Sequence, residues 1–102
     1  MTPQTVIVPT ADGASAFDLT ALYAEVKSAF LADYADDPAV ELQVMRNGDL
    51  AERDYLESLR HLSPERCAQV GRSEVEHAIK SQARLSLCNL VVMANKARRK
   101  RH

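Results

Sequence analysis

Residues 74–98 of this chain read EVEHAIKSQARLSLCNLVVMANKAR, and apolar side chains recur along them every three or four positions. Because residues at these intervals share one face of an α-helix, the spacing predicts a single helix over 74–98. At 1.5 Å per residue, such a helix is about 37 Å long. Between Leu85 and Ala94 only Ser86 and Asn89 interrupt the apolar run, so this part of the helix is expected to be buried on all sides.

A helix that is apolar all round needs more cover than the rest of a chain of 102 residues readily supplies. We therefore expect a homo-oligomer that is held together by this helix. The side chains predicted to contact a second subunit are Leu87, Leu90, Val91 and Ala94.

Three further helices are expected upstream of this one. Asp18 has the side chain and the position of a helix cap, ahead of an apolar stripe at three- and four-residue steps. Asp49 with Glu52 forms a capping-box pattern, and Pro64 suits the first position of another helix. The three predicted helices span 18–35, 49–62 and 64–70.

Two short strands complete the predicted fold. Residues 5–8 are rich in β-branched side chains, and residues 40–45 begin with a strict alternation of apolar and polar side chains. Residues 46–48, Arg-Asn-Gly, follow as a turn. If the strands pair around the first helix, they should run parallel. The prediction is a mainly α fold with a minor β element, about four helices in all.

Charge divides the chain into two halves, although its net charge is only −1. Residues 1–62 carry four basic and eleven acidic side chains, whereas residues 63–102 carry nine basic and three acidic ones. After Glu76 there is no acidic residue at all. This asymmetry indicates a partner of opposite charge for at least one half, and it separates a helical domain over 1–95 from a basic tail over 96–102.

The leading hypothesis assigns the basic half to nucleic acid. Clustered Lys and Arg release counterions from a polyanion and bind it without sequence preference. Four consecutive basic residues, 98–101, exceed what compensation of the helix dipole needs. The alternatives for this segment are a solvated helix end, a disordered tail that only keeps the protein soluble, docking to an acidic protein, and a tail that folds back on the acidic half of its own chain. The predicted nucleic-acid contacts are Arg72, Lys80, Arg84, Lys96, Arg98, Arg99, Lys100 and Arg101.

Residues 63–84 also have the outline of a helix-turn-helix, with Gly71 between two helices. Glu74 and Glu76 would place negative charge where such a motif approaches DNA, so a simple bend between two packed helices is favoured.

The second hypothesis assigns function to the acidic half. A small protein with a negative face can act as an inhibitor or adaptor by docking on a basic partner protein. The candidate contacts are Asp33, Asp36 and Asp37. Charge reversal of these three residues should abolish partner binding under this hypothesis and change little under the first.

The spacing of the reactive side chains does not indicate a catalytic or metal site. His61, Cys67, His77 and Cys88 are separated by at least five residues, whereas zinc ligands come in close pairs. The three glycines stand apart, so the sequence has no glycine-rich loop for a phosphate group. We therefore expect a protein that is not an enzyme and that needs no cofactor and no metal.

The compartment is predicted from the N-terminus and the cysteines. The first residues, Met-Thr-Pro-Gln, lack the basic start and apolar run of a secretory signal. The longest strictly apolar run, 90–94, is far shorter than the roughly 20 residues that cross a bilayer. Cys67 and Cys88 are expected to remain buried thiols. These features predict a cytoplasmic protein without a membrane partner.

Overall fold

A computed structural model describes the backbone of residues 4–100 and the side chains through Met93. The fold is mainly α, with a two-stranded antiparallel sheet at its start and a long helix at its end, as the sequence predicts. The elements in chain order are β1 (Thr5–Thr10), β2 (Gly13–Asp18), α1 (Leu19–Asp33), α2 (Pro38–Leu59), α3 (Pro64–Cys67) and α4 (Arg72–Lys100).

Helix α1 begins where the sequence predicts. The Asp18 carboxylate accepts a hydrogen bond from the Ala21 backbone N–H at 3.0 Å. That N–H is one of the groups that the first turn of a helix leaves without an internal partner. The apolar stripe of the helix is buried, so the predicted helix over 18–35 is confirmed. The buried residues are Leu19, Leu22, Tyr23, Val26 and Phe30.

The prediction of a strand over 40–45 is wrong, because these residues form the first part of α2. Val40 and Val44, four residues apart, are 4% and 0% exposed, whereas Leu42 between them is 47% exposed. A strand would have placed all three on one face, but a helix turns Leu42 away. Strict alternation favours a strand locally, but the packing of Val40 and Val44 against the core decides for the helix.

The predicted turn over 46–48 is also wrong, since α2 continues through it. The helix is kinked at this position, because Asn47 has a non-helical backbone conformation with φ −124° and ψ 15°. The helix predicted over 49–62 is therefore the second part of α2, which ends at Leu59.

The second strand lies at Gly13–Asp18, just before and including the predicted helix cap Asp18, where the sequence predicts no strand. It pairs with β1 as an antiparallel hairpin, with Val6 opposite Phe17 and Thr10 opposite Gly13, so no parallel crossover forms. Gly13 has φ +106°, a conformation that favours glycine and follows the tight turn. Most of β2 consists of small residues with little β propensity, which is why the sequence pattern did not reveal it.

Helix α4 is the element against which the others pack. It contacts α2 and α1 extensively, whereas α1 and α2 make few contacts with each other. It covers the predicted range 74–98, while α3 is shorter than the predicted 64–70. The fully buried apolar side chains of α4 lie at four-residue steps. They are Val75, Ile79, Ala83 and Leu87.

Two buried tyrosines join α1 to α2. The Tyr23 hydroxyl donates to the Gly48 carbonyl and the Tyr55 hydroxyl donates to the Leu19 carbonyl, each at 2.9 Å. The two rings pack with centroids 5.4 Å apart. Burial, and to a lesser degree the charge of Glu52, raises the pKa of Tyr23 to about 12 and raises the pKa of Tyr55 as well.

Candidate nucleic-acid interface

All but one of the predicted cationic contacts lie on α4. Arg72, Lys80 and Arg84 occupy its first half, and their side chains are part of the described structure. Lys96, Arg98, Arg99 and Lys100 fall on its last turns, where the description covers the backbone only, and Arg101 lies outside the described residues.

Lys80 and Arg84 both form ion pairs with α1. The Lys80 ammonium lies 2.8 Å from Glu25 Oε1, and the Arg84 guanidinium lies 2.9 Å from Asp33 Oδ2. The hydrogen bond to Glu25 raises the pKa of the Lys80 ammonium. Arg84 also lies over the Phe30 ring, at 5.6 Å from its centroid. Both cations are therefore neutralised within the chain.

Arg72 joins α4 to the hairpin. Its guanidinium lies over the Phe17 ring at 5.1 Å from the centroid, a cation–π contact. Its backbone N–H donates to Asp12 Oδ2 at 2.8 Å. Each of the three upstream cations therefore contacts another element of its own chain.

The last turns of α4, up to Lys100, follow the part of the helix that packs in the core. The last fully buried side chain of α4 is Leu87, and Val92 and Met93 are already exposed. At 1.5 Å per residue the 29 residues of α4 span about 43 Å, so the helix carries its final turns away from the packed helices. Five Lys or Arg residues follow Arg84, and the sequence provides no acidic residue among them.

The residues predicted to contact a second subunit divide into two groups. Leu87 is 0% exposed in the core of its own chain, and Leu90 and Val91 pack partly against that core. The side chain of Ala94 lies outside the described side chains. The chain's own core thus buries Leu87 and part of Leu90 and Val91, which the sequence assigned to a second subunit. The opposite face of α4 stays open, with Leu85 52% exposed.

The three carboxylates of the second hypothesis do not form one free acidic surface. Asp33 is paired with Arg84, and Asp37 caps α2 by accepting from the backbone N–H groups of Ala39 and Val40 at 3.1 and 3.4 Å. Asp36 is exposed and makes no side-chain hydrogen bond among the described residues. Two of the three side chains therefore have a structural role within the chain.

Substituting Asp37 with alanine is expected to lower the free energy of unfolding by about 1 kcal/mol, because the first turn of α2 loses its cap. Urea unfolding followed by circular dichroism measures this change. Asp36→Ala is the matched control, since it removes the neighbouring charge without removing a cap. An equal loss in both variants would contradict the role given to Asp37.

A groove of about 550 Å³ lies between β1 and the end of α2, and the sequence did not predict it. Aliphatic side chains make up most of its lining. The sequence shows one part of it, because Leu56, Leu59 and Leu62 recur at three-residue steps. In the structure these three leucines are only half-buried. The lining residues also include Val6, Val8, Arg53, Arg60 and Cys67.

Other kinds of site find no support in the described part of the chain. It contains no group of three His, Cys, Asp or Glu side chains placed to hold a metal ion. None of its helices is both long and apolar enough to cross a membrane. Cys67 is buried and Cys88 is half-buried, and both are free thiols.

No family model, no curated protein sequence and no solved structure matches this chain. The chemistry of its own residues is therefore what bears on its function.

Proposed function

We propose that this protein is a non-enzymatic accessory factor that binds nucleic acid through its basic C-terminal segment, residues 96–102. The observation that carries the proposal is a difference between two groups of cations in the C-terminal part of the chain. Arg72, Lys80 and Arg84 are engaged within the chain. The five cations that follow come after the last acidic residue, Glu76.

The proposed contacts are with phosphate groups. Lys and Arg that neutralise phosphates release condensed counterions, so the affinity falls steeply with salt and depends little on base sequence. Five such contacts give a slope of log affinity against log salt of about −4.5 on duplex DNA. No Phe, Tyr or Trp follows Tyr55, so the basic segment has no ring on which unpaired bases could stack. We expect no preference for single strands.

Self-association would strengthen such binding, because several basic segments on one oligomer act together. Binding of a basic protein through Asp33, Asp36 and Asp37 has weaker support. Asp33 and Asp37 already bond to groups of their own chain, and a partner would have to replace those bonds.

The test compares two double variants that remove the same charge. Arg99→Gln with Lys100→Gln should weaken binding to a fluorescent random-sequence duplex about tenfold and make the salt slope less negative by about 2. Lys80→Gln with Arg84→Gln, the matched control, should change the affinity less than about twofold. Deletion of residues 96–102 should abolish binding. Fluorescence anisotropy over a series of salt concentrations measures all three.

The proposal is overturned if the full chain fails to bind the duplex at low salt. It is also overturned if deletion of residues 96–102 leaves the affinity unchanged, or if the control pair weakens binding as much as the C-terminal pair does.

A further inference from the structure

We infer that the groove beside β1 binds an extended, acidic peptide segment of a partner protein, which pairs with β1 as a third strand. This inference concerns a different surface from the basic segment and does not rest on nucleic-acid binding. It follows from the edge of β1, from the apolar wall opposite and from the charges at the rim.

The groove runs along the edge of β1 rather than across one of its faces. Its lining includes the four consecutive residues 6–9 as well as Gln4. Successive side chains of a strand point to opposite faces of the sheet, so consecutive residues border one space only along an edge. The backbone of β1 is therefore exposed to the groove.

The direction of the backbone groups follows from the hairpin. The Leu19 N–H donates to the Gln4 carbonyl at 2.7 Å, which continues the ladder between the strands. In an antiparallel pair every second residue bonds to the partner strand, so Gln4, like the even-numbered residues of β1, faces β2. Thr5 and Ile7 then direct their N–H and C=O groups to the free edge.

This edge is already used at one end by a neighbouring segment. The Ala11 N–H, two residues beyond Pro9 on the same side, donates to the Val70 carbonyl at 2.7 Å. Among the described residues no such bond is present for the N–H of Thr5 or Ile7. Pro9 has no N–H to offer. The edge at Thr5 and Ile7 therefore has two donors and two acceptors available to a short added strand.

The opposite wall accepts apolar side chains. Leu56, Leu59 and Leu62 are half-buried along it, and Cys67 is buried at its end. A peptide strand that pairs with β1 directs every second side chain to the same side. Valine- or leucine-sized side chains at alternate positions would cover this wall.

The rim of the groove favours an acidic occupant. Arg53 is exposed and forms no ion pair with the described residues, and Arg60 lies 3.5 Å from Glu57, with its side chain 76% exposed. Two guanidinium groups and one carboxylate leave a positive charge at this position. An Asp or Glu of the peptide would compensate it, which gives charge complementarity across the interface.

These features select a peptide over two other occupants. A second copy of β1 would bring its own α2 and α3, because these elements lie beside the same edge in every copy. An acyl chain would cover the leucines but would leave the backbone groups of Thr5 and Ile7 without partners. An extended peptide would pair with the strand edge, cover the leucine wall and compensate the positive charge at the rim.

The experiment titrates the full chain with a synthetic peptide of alternating valine and threonine that carries a glutamate at each end. Hydrogen exchange measured by NMR should slow about tenfold or more at the amides of Thr5 and Ile7. Arg53→Glu should weaken the peptide about tenfold, because it reverses the charge at the rim. Arg46→Glu, on the same helix but outside the groove, should leave the affinity unchanged. The same peptide with N-methylated central residues should not bind.

The inference is overturned if the peptide fails to bind, or binds without slowing exchange at Thr5 and Ile7. It is overturned equally if the Arg53 and Arg46 variants behave alike. Protection of both amides without peptide, together with twice the monomer mass in light scattering, would assign the edge to a second copy instead. The lining residues named here lie outside segment 96–102, so the result is independent of the nucleic-acid test.

Discussion

Leu87→Ala is expected to lower the free energy of unfolding by about 2 to 5 kcal/mol. Leu87 is fully buried among the core residues of α1, α2 and α4, and its neighbours can close the space left by the missing atoms only in part. Alanine is the better helix former, so the loss measures packing rather than helix propensity.

Leu85→Ala is the matched control, two positions away on the exposed side of the same helix. We expect it to change the stability by less than about 0.5 kcal/mol. Urea unfolding at two protein concentrations distinguishes burial of Leu87 in the core of one chain from burial between subunits, because only a contact between subunits makes the stability depend on concentration. A Leu87→Ala effect that depends on concentration, or equal effects of both substitutions, would contradict the position of Leu87 in the core of one chain.

Raising the pH from about 10 to 12 is expected to destabilise the fold by about 1 kcal/mol per pH unit for each buried tyrosine. In the unfolded chain a tyrosine loses its proton near pH 10, whereas burial raises the pKa of Tyr23 to about 12 and raises that of Tyr55. In this range the folded state holds more protons than the unfolded state. Stability is therefore full below pH 10 and falls as the pH rises.

Tyr23→Phe and Tyr55→Phe test this origin directly, because phenylalanine does not titrate. Each variant should flatten the fall in stability above about pH 10. At neutral pH each should cost about 1 to 2 kcal/mol, since the carbonyl of Gly48 or Leu19 loses a buried donor. Tyr34→Phe, on an exposed ring, is the control for the substitution at neutral pH. An unchanged pH profile in both buried variants would contradict the proposed cause.

The helices with long apolar stripes were predictable from the sequence. In α1 and α4 the stripe repeats over three or more turns, so a helical period is the only one that fits. The five residues from Val40 to Val44 alternate as the residues of a strand do, so their local pattern was misleading. A helix forms because Val40 and Val44 then pack in the core while Leu42 stays exposed. A local sequence pattern does not contain that information.

The candidate site was predictable to a similar degree. A run of four basic residues is visible in the sequence, and so is the absence of acidic residues after Glu76. The ion pairs of Lys80 and Arg84 are not visible there. Their partners, Glu25 and Asp33, lie 55 and 51 positions upstream and come into contact with them only because α1 packs on α4. The groove forms between β1 and α2, which are distant in sequence, and only the fold defines it.

The position of α4 in the chain has a consequence for the protein as it is being made. Helices α1 and α2 leave the ribosome first, but they share few contacts and find most of their apolar cover on α4. At typical rates of translation, the 29 residues of α4 take on the order of a few seconds to synthesise. During that interval the apolar faces of α1 and α2 remain uncovered, so the nascent chain has its greatest need for a chaperone just before α4 emerges.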